Sequence, residues 1–343
     1  MNFRCPFNPS RRRFLTETAR AGLGLALFAG ARTARSATAV NPFAYDVRKY
    51  ETTDPKLIAY RQVTAFKCPL PDARRLCLVG TDRLAVAAGN KVALLDRTSG
   101  ASSAEIPLNG PVRCVTEGPD GSLYAGLRDH VEVFDAQGKR RATWPGFAGR
   151  PWISSLAVNA EFAFIADAGN RVVYRCDLTG KAINRIGDRD RDRGIPGFVL
   201  PSPFLEVELH PDGLLRVTNP GRHLVEAYTF EGDRATAWGR PSMGIEGFSG
   251  CCNPVALAIL PDGRFVTCEK GLPRVKVYSQ LGEFESVVAG VESFPENAKV
   301  GSGEKPGDGV KASLDAVVDA QGRVFILDTV TGSIRVMVRN QAG

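Results

Sequence analysis

Histidine is scarce in this 343-residue chain, at three copies, and methionine and tryptophan are equally rare. Three scattered histidines, His130, His210 and His223, do not make a His-rich metal centre. There is no Cys-x-x-Cys, no Gly-x-Ser-x-Gly, no Walker loop and no dinucleotide fingerprint, so the familiar metal, hydrolase and nucleotide signatures are missing. No apolar run is long enough to remain as a membrane span. A composition 43% hydrophobic and 24% charged, with 36 Gly and 22 Pro, excludes a disordered, collagenous or coiled-coil chain. The formal charge of +7 is not spread through the chain either. Residues 1–39 hold seven arginines against one acid, Glu17, and the rest is close to neutral. A nucleic-acid binder keeps its basic excess in the folded body, so no nucleic-acid partner is expected.

What is present begins with an address. Ser10-Arg11-Arg12-Arg13-Phe14-Leu15 precedes an apolar stretch, Ala21 to Ala31, and then Ala37-Thr38-Ala39. Charge, a short apolar segment and a small-x-small site form the pattern of a cleaved export signal. Its core resembles the twin-arginine (Tat) signal, which implies export of a folded protein to the periplasm. Cleavage after Ala39 is expected, leaving a chain without a membrane span. Residues 40–56 are then a linker and 57–343 the domain.

Six later segments share one plan of short apolar runs and polar turns: Arg74–Gly100, Val112–Lys139, Ile153–Lys181, Phe204–Asp233, Pro254–Glu283 and Ser313–Arg339. Pro119-Asp-Gly, Pro211-Asp-Gly, Pro261-Asp-Gly and Ala320-Gln-Gly mark the first turn in four of them; such pairs supply the positive φ of tight hairpins. Runs such as Arg264-Phe-Val-Thr and Val275-Lys-Val-Tyr favour strands, and no sustained helical period follows residue 40. Ile165-Ala-Asp-Ala-Gly-Asn-Arg-Val and Ile326-Leu-Asp-Thr-Val-Thr-Gly-Ser-Ile resemble the NHL repeat. The resemblance covers about residues 70–340 unevenly, and it implies an all-β, six-bladed β-propeller of the NHL or TolB-like kind. The sixth repeat is one strand short, and Leu57–Phe66 is the candidate to complete it, so the ring is closed by an N-terminal strand.

With strands a to d running outward from the axis, the lead-in to strand a and the b–c turn share one face. Distinctive residues gather there: Trp152, Cys251-Cys252-Asn253, Lys311, Arg222-His223, and Glu269-Lys270 with Arg274. Arg222, His223, Cys251, Cys252, Asn253, Glu269, Lys270 and Arg274 are therefore the candidate ligand-binding residues, suited to an anionic or carbonyl-bearing ligand. An Arg274–Glu269 pair with a purely structural role is an equal reading. The mature chain has seven cysteines, and export permits disulfides. Cys251 and Cys252 are expected to form a vicinal disulfide; bonding elsewhere, to Cys268 first, and a metal held by Cys251, Cys252 and Cys268 are the alternatives. Cys77 and Cys114 lie in apolar strands as core residues. Asp188, Asp190 and Asp192 lack the glycine and terminal acid of a calcium loop and alternate with arginines as a solvated loop.

The expected function is that of an exported, monomeric propeller binding a small molecule or protein partner on this face. The competing class is a periplasmic enzyme on the same scaffold, either a metal-dependent lyase or hydrolase or a cysteine-based redox protein. No catalytic set is recognisable, and the sequence points to no particular cofactor.

Overall fold

The computed structural model describes residues 48–303 and 311–340. The signal, its cleavage site at Ala39 and residues 40–47 of the linker lie outside the described residues. Six four-stranded antiparallel sheets are arranged as blades 1 to 6. Their innermost strands are Ala73–Val79, Cys114–Glu117, Ile153–Val158, Val207–Leu209, Ala256–Ile259 and Leu314–Val318. The Asp-Gly and Gln-Gly turns behave as their composition demands, with Gly121, Gly213, Gly263 and Gly322 all at φ between 75° and 83°.

Closure occurs in blade 6, where Tyr60–Lys67 runs antiparallel to Ser333–Arg339, with Tyr60 opposite Arg339 and Phe66 opposite Ile334. The strand starts later than Leu57 because Pro55–Leu57 forms a 3-10 turn, capped by the Asp54 carboxylate accepting from the Lys56 amide. The joint behaves like any other in the ring. Gly100, in the c–d turn of blade 1 at φ +74°, lies so close under Phe66 that a Cβ would come within 2.4 Å of its ring. Gly180 sits in the same way under Trp144 of blade 2, so both positions require glycine.

Apolar packing lies between blades rather than in one central core. Val79 and Leu94 meet Val115 and Phe134 between blades 1 and 2, and Phe164 and Val173 meet Val207 and Leu215 between blades 3 and 4. Leu84 and Val86 meet Phe325 and Ile334 across the closing seam. Among the described residues one α-helix interrupts the strands, Pro295–Ser302, in the long connection between blades 5 and 6. Two turns are too short to reveal a helical period in the sequence. Its Asn297 donates to the Ser313 carbonyl at 2.8 Å and to Asp328 at 2.9 Å, which ties it to blade 6. No helix among the described residues is long and apolar enough to cross a membrane.

Candidate functional site

The lead-ins to the first strands are held by a device that recurs in four blades. The residue that ends strand b, or directly follows it, reaches across to the segment preceding strand a. Asp167 accepts from the Trp152 amide at 2.8 Å, Asn219 from the Val199 amide at 2.9 Å and Glu269 from the Ser249 amide at 2.7 Å. Asp328 takes the corresponding place in blade 6, accepting from Asn297. Asp167 also accepts from the Gly169 and Asn170 amides at 3.0 Å each. A Cβ on Gly169 would lie 1.9 Å from the Arg150 carbonyl, so this turn presses against the backbone that presents Trp152. Blades 1 and 2 have Ala88 and Leu127 at that position and lack the brace.

At the axis, strand register sets Arg75, Cys114, Ser155, Glu206, Ala256 and Asp315 at one level of the six first strands. Arg75 Nη1 lies 2.7 Å from Glu206 Oε2 and 2.7 Å from Asp315 Oδ1. Ser155 Oγ donates to Glu206, and the Leu76 amide donates to Asp315 at 2.6 Å. Burial pushes Glu206 up to about 7; Arg75 opposes the shift and Asp315 adds to it. Burial also drives the Cys77 and Cys114 thiols up to about 12 and raises Cys268, which leaves all three uncharged and poorly nucleophilic near neutrality.

Arg75 borders a cavity on either side. The lower one, about 510 Å³, opens towards the a–b turns and is lined by five acids, Glu117, Glu206, Glu208, Asp315 and Asp319, among largely aliphatic side chains. Glu208 is raised well above the ordinary carboxylate range, by burial first and then by Glu206 and Asp315. The upper one, about 450 Å³, opens towards the lead-in face. Its wall includes Arg74, Arg113, Trp152, Phe204 and Lys311, with Asp72 as the single acid.

The Arg113 guanidinium stacks 3.5 Å from the centre of the Trp152 ring, and Arg128 stands 5.7 Å from the same ring. Among the described residues none of Arg74, Arg113 and Arg128 has a carboxylate at ion-pair distance. The Nε atoms of Arg74 and Arg113 are buried without a hydrogen-bond partner. Burial, followed by the charges of Arg74 and Arg128, pushes the pKa of Arg113 down. An arginine held by an aromatic face instead of a carboxylate keeps its full charge and its in-plane N–H donors.

None of the eight sequence-derived candidates lines either axial cavity. Glu269 and Arg274 are buried partners, with Arg274 Nε 2.7 Å from Glu269 Oε2 and Lys276 Nζ 3.0 Å from the same oxygen. Burial would raise Glu269, but Lys276 and Arg274 outweigh it and hold its carboxyl below the usual range. Arg274 and Lys276 donate onward to the Met243, Ile245 and Gly247 carbonyls, so the trio ties down the loop before blade 5. The structural alternative for Arg274 and Glu269 is the one formed. Asn253 exchanges hydrogen bonds with Lys270, accepting from its amide at 2.8 Å and donating to its carbonyl at 2.9 Å. His223 bonds the Gly250 carbonyl at 2.7 Å through Nε2, and Arg222 is exposed in the turn before it. Lys270 Nζ lies 5.4 Å from the Phe204 ring and is the candidate nearest the upper cavity.

The expected vicinal disulfide is not seen: the Sγ atoms of Cys251 and Cys252 are 2.9 Å apart, longer than the covalent length of about 2.05 Å. Cys251 is exposed and Cys252 buried. Cys251, Cys252 and Cys268 do not gather as metal ligands, and no other group of three His, Cys, Asp or Glu side chains among the described residues does. Reading along the sequence singled out Trp152 and Lys311 but missed Arg74, Arg75, Arg113, Phe204 and Glu206. Stacking the six repeats in register would have shown Glu269 in the place of Asp167 and Asp328, a bracing position, and Arg75 beside Glu206 and Asp315 in one ring.

Among solved structures the chain is similar to a streptogramin B lyase, at 12% identity with a TM-score of 0.54, over 82% of this chain and 98% of that one. The likeness concerns the propeller fold. No protein-family model matches the sequence, and no curated protein matches it.

Proposed function

We propose that the chain is an exported NHL-type propeller that binds a small anionic ligand in the upper axial cavity. One observation carries the reading: Arg113 is fixed by Trp152 with Arg74 and Arg128 close by, and no acid neutralises the group. Crowding cations without a counter-charge costs stability, and an arriving anion removes that cost. Phe204 and Trp152 supply an apolar wall beside the charge, so an anion attached to a small apolar or aromatic body is favoured over a bare one. Lys270 and the Cys251-Cys252 segment belong to the adjoining rim in this reading.

Titration with benzenesulfonate, benzoate and sulfate, followed by tryptophan fluorescence, tests it. Benzenesulfonate should bind best. Arg113→Ala should weaken it by roughly 10- to 100-fold, since a hydrogen bond to a charged group contributes about 1.5–3 kcal/mol. Absence of binding by all three, or an unaffected Arg113→Ala variant, overturns the proposal. The enzyme alternative draws on Glu206, a carboxyl held near neutrality next to Ser155 and Arg75, the kind of group that moves protons in catalysis.

A further inference from the structure

We infer that binding of an anion in the upper cavity is coupled to uptake of a proton by Glu206 across the Arg75 partition, the anion and the proton approaching from opposite faces. The inference rests on the binding reading above. Arg75 is the residue common to the walls of both cavities. Its Nη1 is already shared by two carboxylates at 2.7 Å each. An anion arriving from above becomes a third negative group around one guanidinium, in a region where solvent screens poorly. Whichever carboxylate holds its proton most readily then takes one up.

The surroundings select Glu206. Asp315 is fixed by the Leu76 amide as well as by Arg75. A backbone donor offers its hydrogen to the carboxylate and nothing to a protonated oxygen. Glu206 has the Ser155 hydroxyl instead, which can turn and accept from a protonated carboxyl as easily as it donates to an ionised one. The other titratable groups facing Glu206 are Glu208 on its own strand, Cys114 from blade 2 and Cys268 from blade 5. Both thiols stay neutral throughout the physiological range, and Glu208 adds to the negative crowding. Glu206 borders the lower cavity and not the upper one, so its proton is exchanged at the face opposite to the ligand. An ionisation already placed at about 7 makes the coupling visible in ordinary buffers.

Linkage fixes the sign. If the bound state holds a proton that the free state lacks, affinity rises as pH falls, by at most tenfold per pH unit for one proton. Benzenesulfonate is the probe, because it is ionised at every pH used. Affinity should fall three- to tenfold per unit between pH 7 and 8.5 and level off below about 6. Calorimetry at pH 7.5 in two buffers of different ionisation enthalpy should count between half a proton and one proton taken up per ligand, without any substitution. Glu206→Gln should bind at pH 8 about as tightly as the unmodified protein does at pH 6, with no slope; Glu208→Gln should keep one. Binding that is flat with pH and takes up no proton overturns the coupling and leaves the binding reading intact. A slope that survives Glu206→Gln overturns the assignment to Glu206, and absence of binding at every pH overturns both proposals together.

Discussion

Two groups of basic side chains lie towards the same face of the ring, and they are built in opposite ways. In blade 5, Arg274 and Lys276 are wholly buried and both paired with the Glu269 carboxylate. At the upper cavity, Arg74 and Arg113 are half-buried with no carboxylate at ion-pair distance among the described residues, and an indole ring keeps Arg113 in place. The first group spends its charge inside the protein, lashing the 243–247 loop to the blade. The second keeps its charge available. A basic residue on a propeller face is therefore informative only together with what opposes it.

The sharpest way to break this contrast is Glu269→Ala, which strands two buried cations. Stability should drop by about 3–5 kcal/mol in chemical denaturation, and a loss below about 1 kcal/mol would show that the trio does not brace the loop. Arg113→Ala should do the reverse, costing ligand affinity as stated above while leaving the unfolding midpoint unchanged or slightly raised. Equal losses in binding and stability would erase the distinction between the two groups.

Titration sharpens it further. Glu269 is held below its ordinary value, so its contribution is present above about pH 4.5 and fades as the solution is acidified below that. Glu206 is raised to about 7; the folded chain keeps a proton there that the unfolded chain releases, so stability declines as pH rises from about 4.5 to 7. Glu208 acts in the same direction. Melting temperature should pass through a maximum near pH 5, with Glu206→Gln flattening the upper limb and Glu269→Gln the lower. A monotonic profile would contradict these assignments. The smallest effect belongs to Cys251→Ser. An exposed thiol beside the rim should change stability by no more than about 0.5 kcal/mol and leave benzenesulfonate binding untouched; a loss matching that of Arg113→Ala would move the site to blade 5.

The fold was legible because the blades repeat the same instructions: apolar alternation in all six, an Asp-Gly or Gln-Gly turn in four, and a glycine in the c–d turn under a neighbouring blade's outer strand, as at Gly100 and Gly180. Even the closing strand could be located, from an unpaired edge in the last repeat and one surplus strand before the first. The face on which the upper cavity opens carries the irregular residues that concentrate at the lead-ins. The residues themselves were less legible. Conspicuous side chains such as Arg274 and Glu269 drew attention by type, yet their burial and mutual pairing are tertiary facts. Arg75, Glu206 and Asp315 are separated by more than a hundred residues in the chain, and only the ring brings both carboxylates within 3 Å of the Arg75 guanidinium.

The joint at Tyr60–Lys67 carries a consequence for the timing of folding. The strand Tyr60–Lys67 waits for a partner that ends at Arg339, so the ring cannot shut until the sixth blade has been made. At synthesis rates of roughly 5–20 residues per second, blade 1 stands without its blade 6 neighbour for on the order of tens of seconds. During that interval blade 1 offers a bare apolar flank on the side that Phe325 and Ile334 will later cover. Such a flank is a natural handle for a chaperone, and its disappearance at closure is a physical sign that the ring is whole.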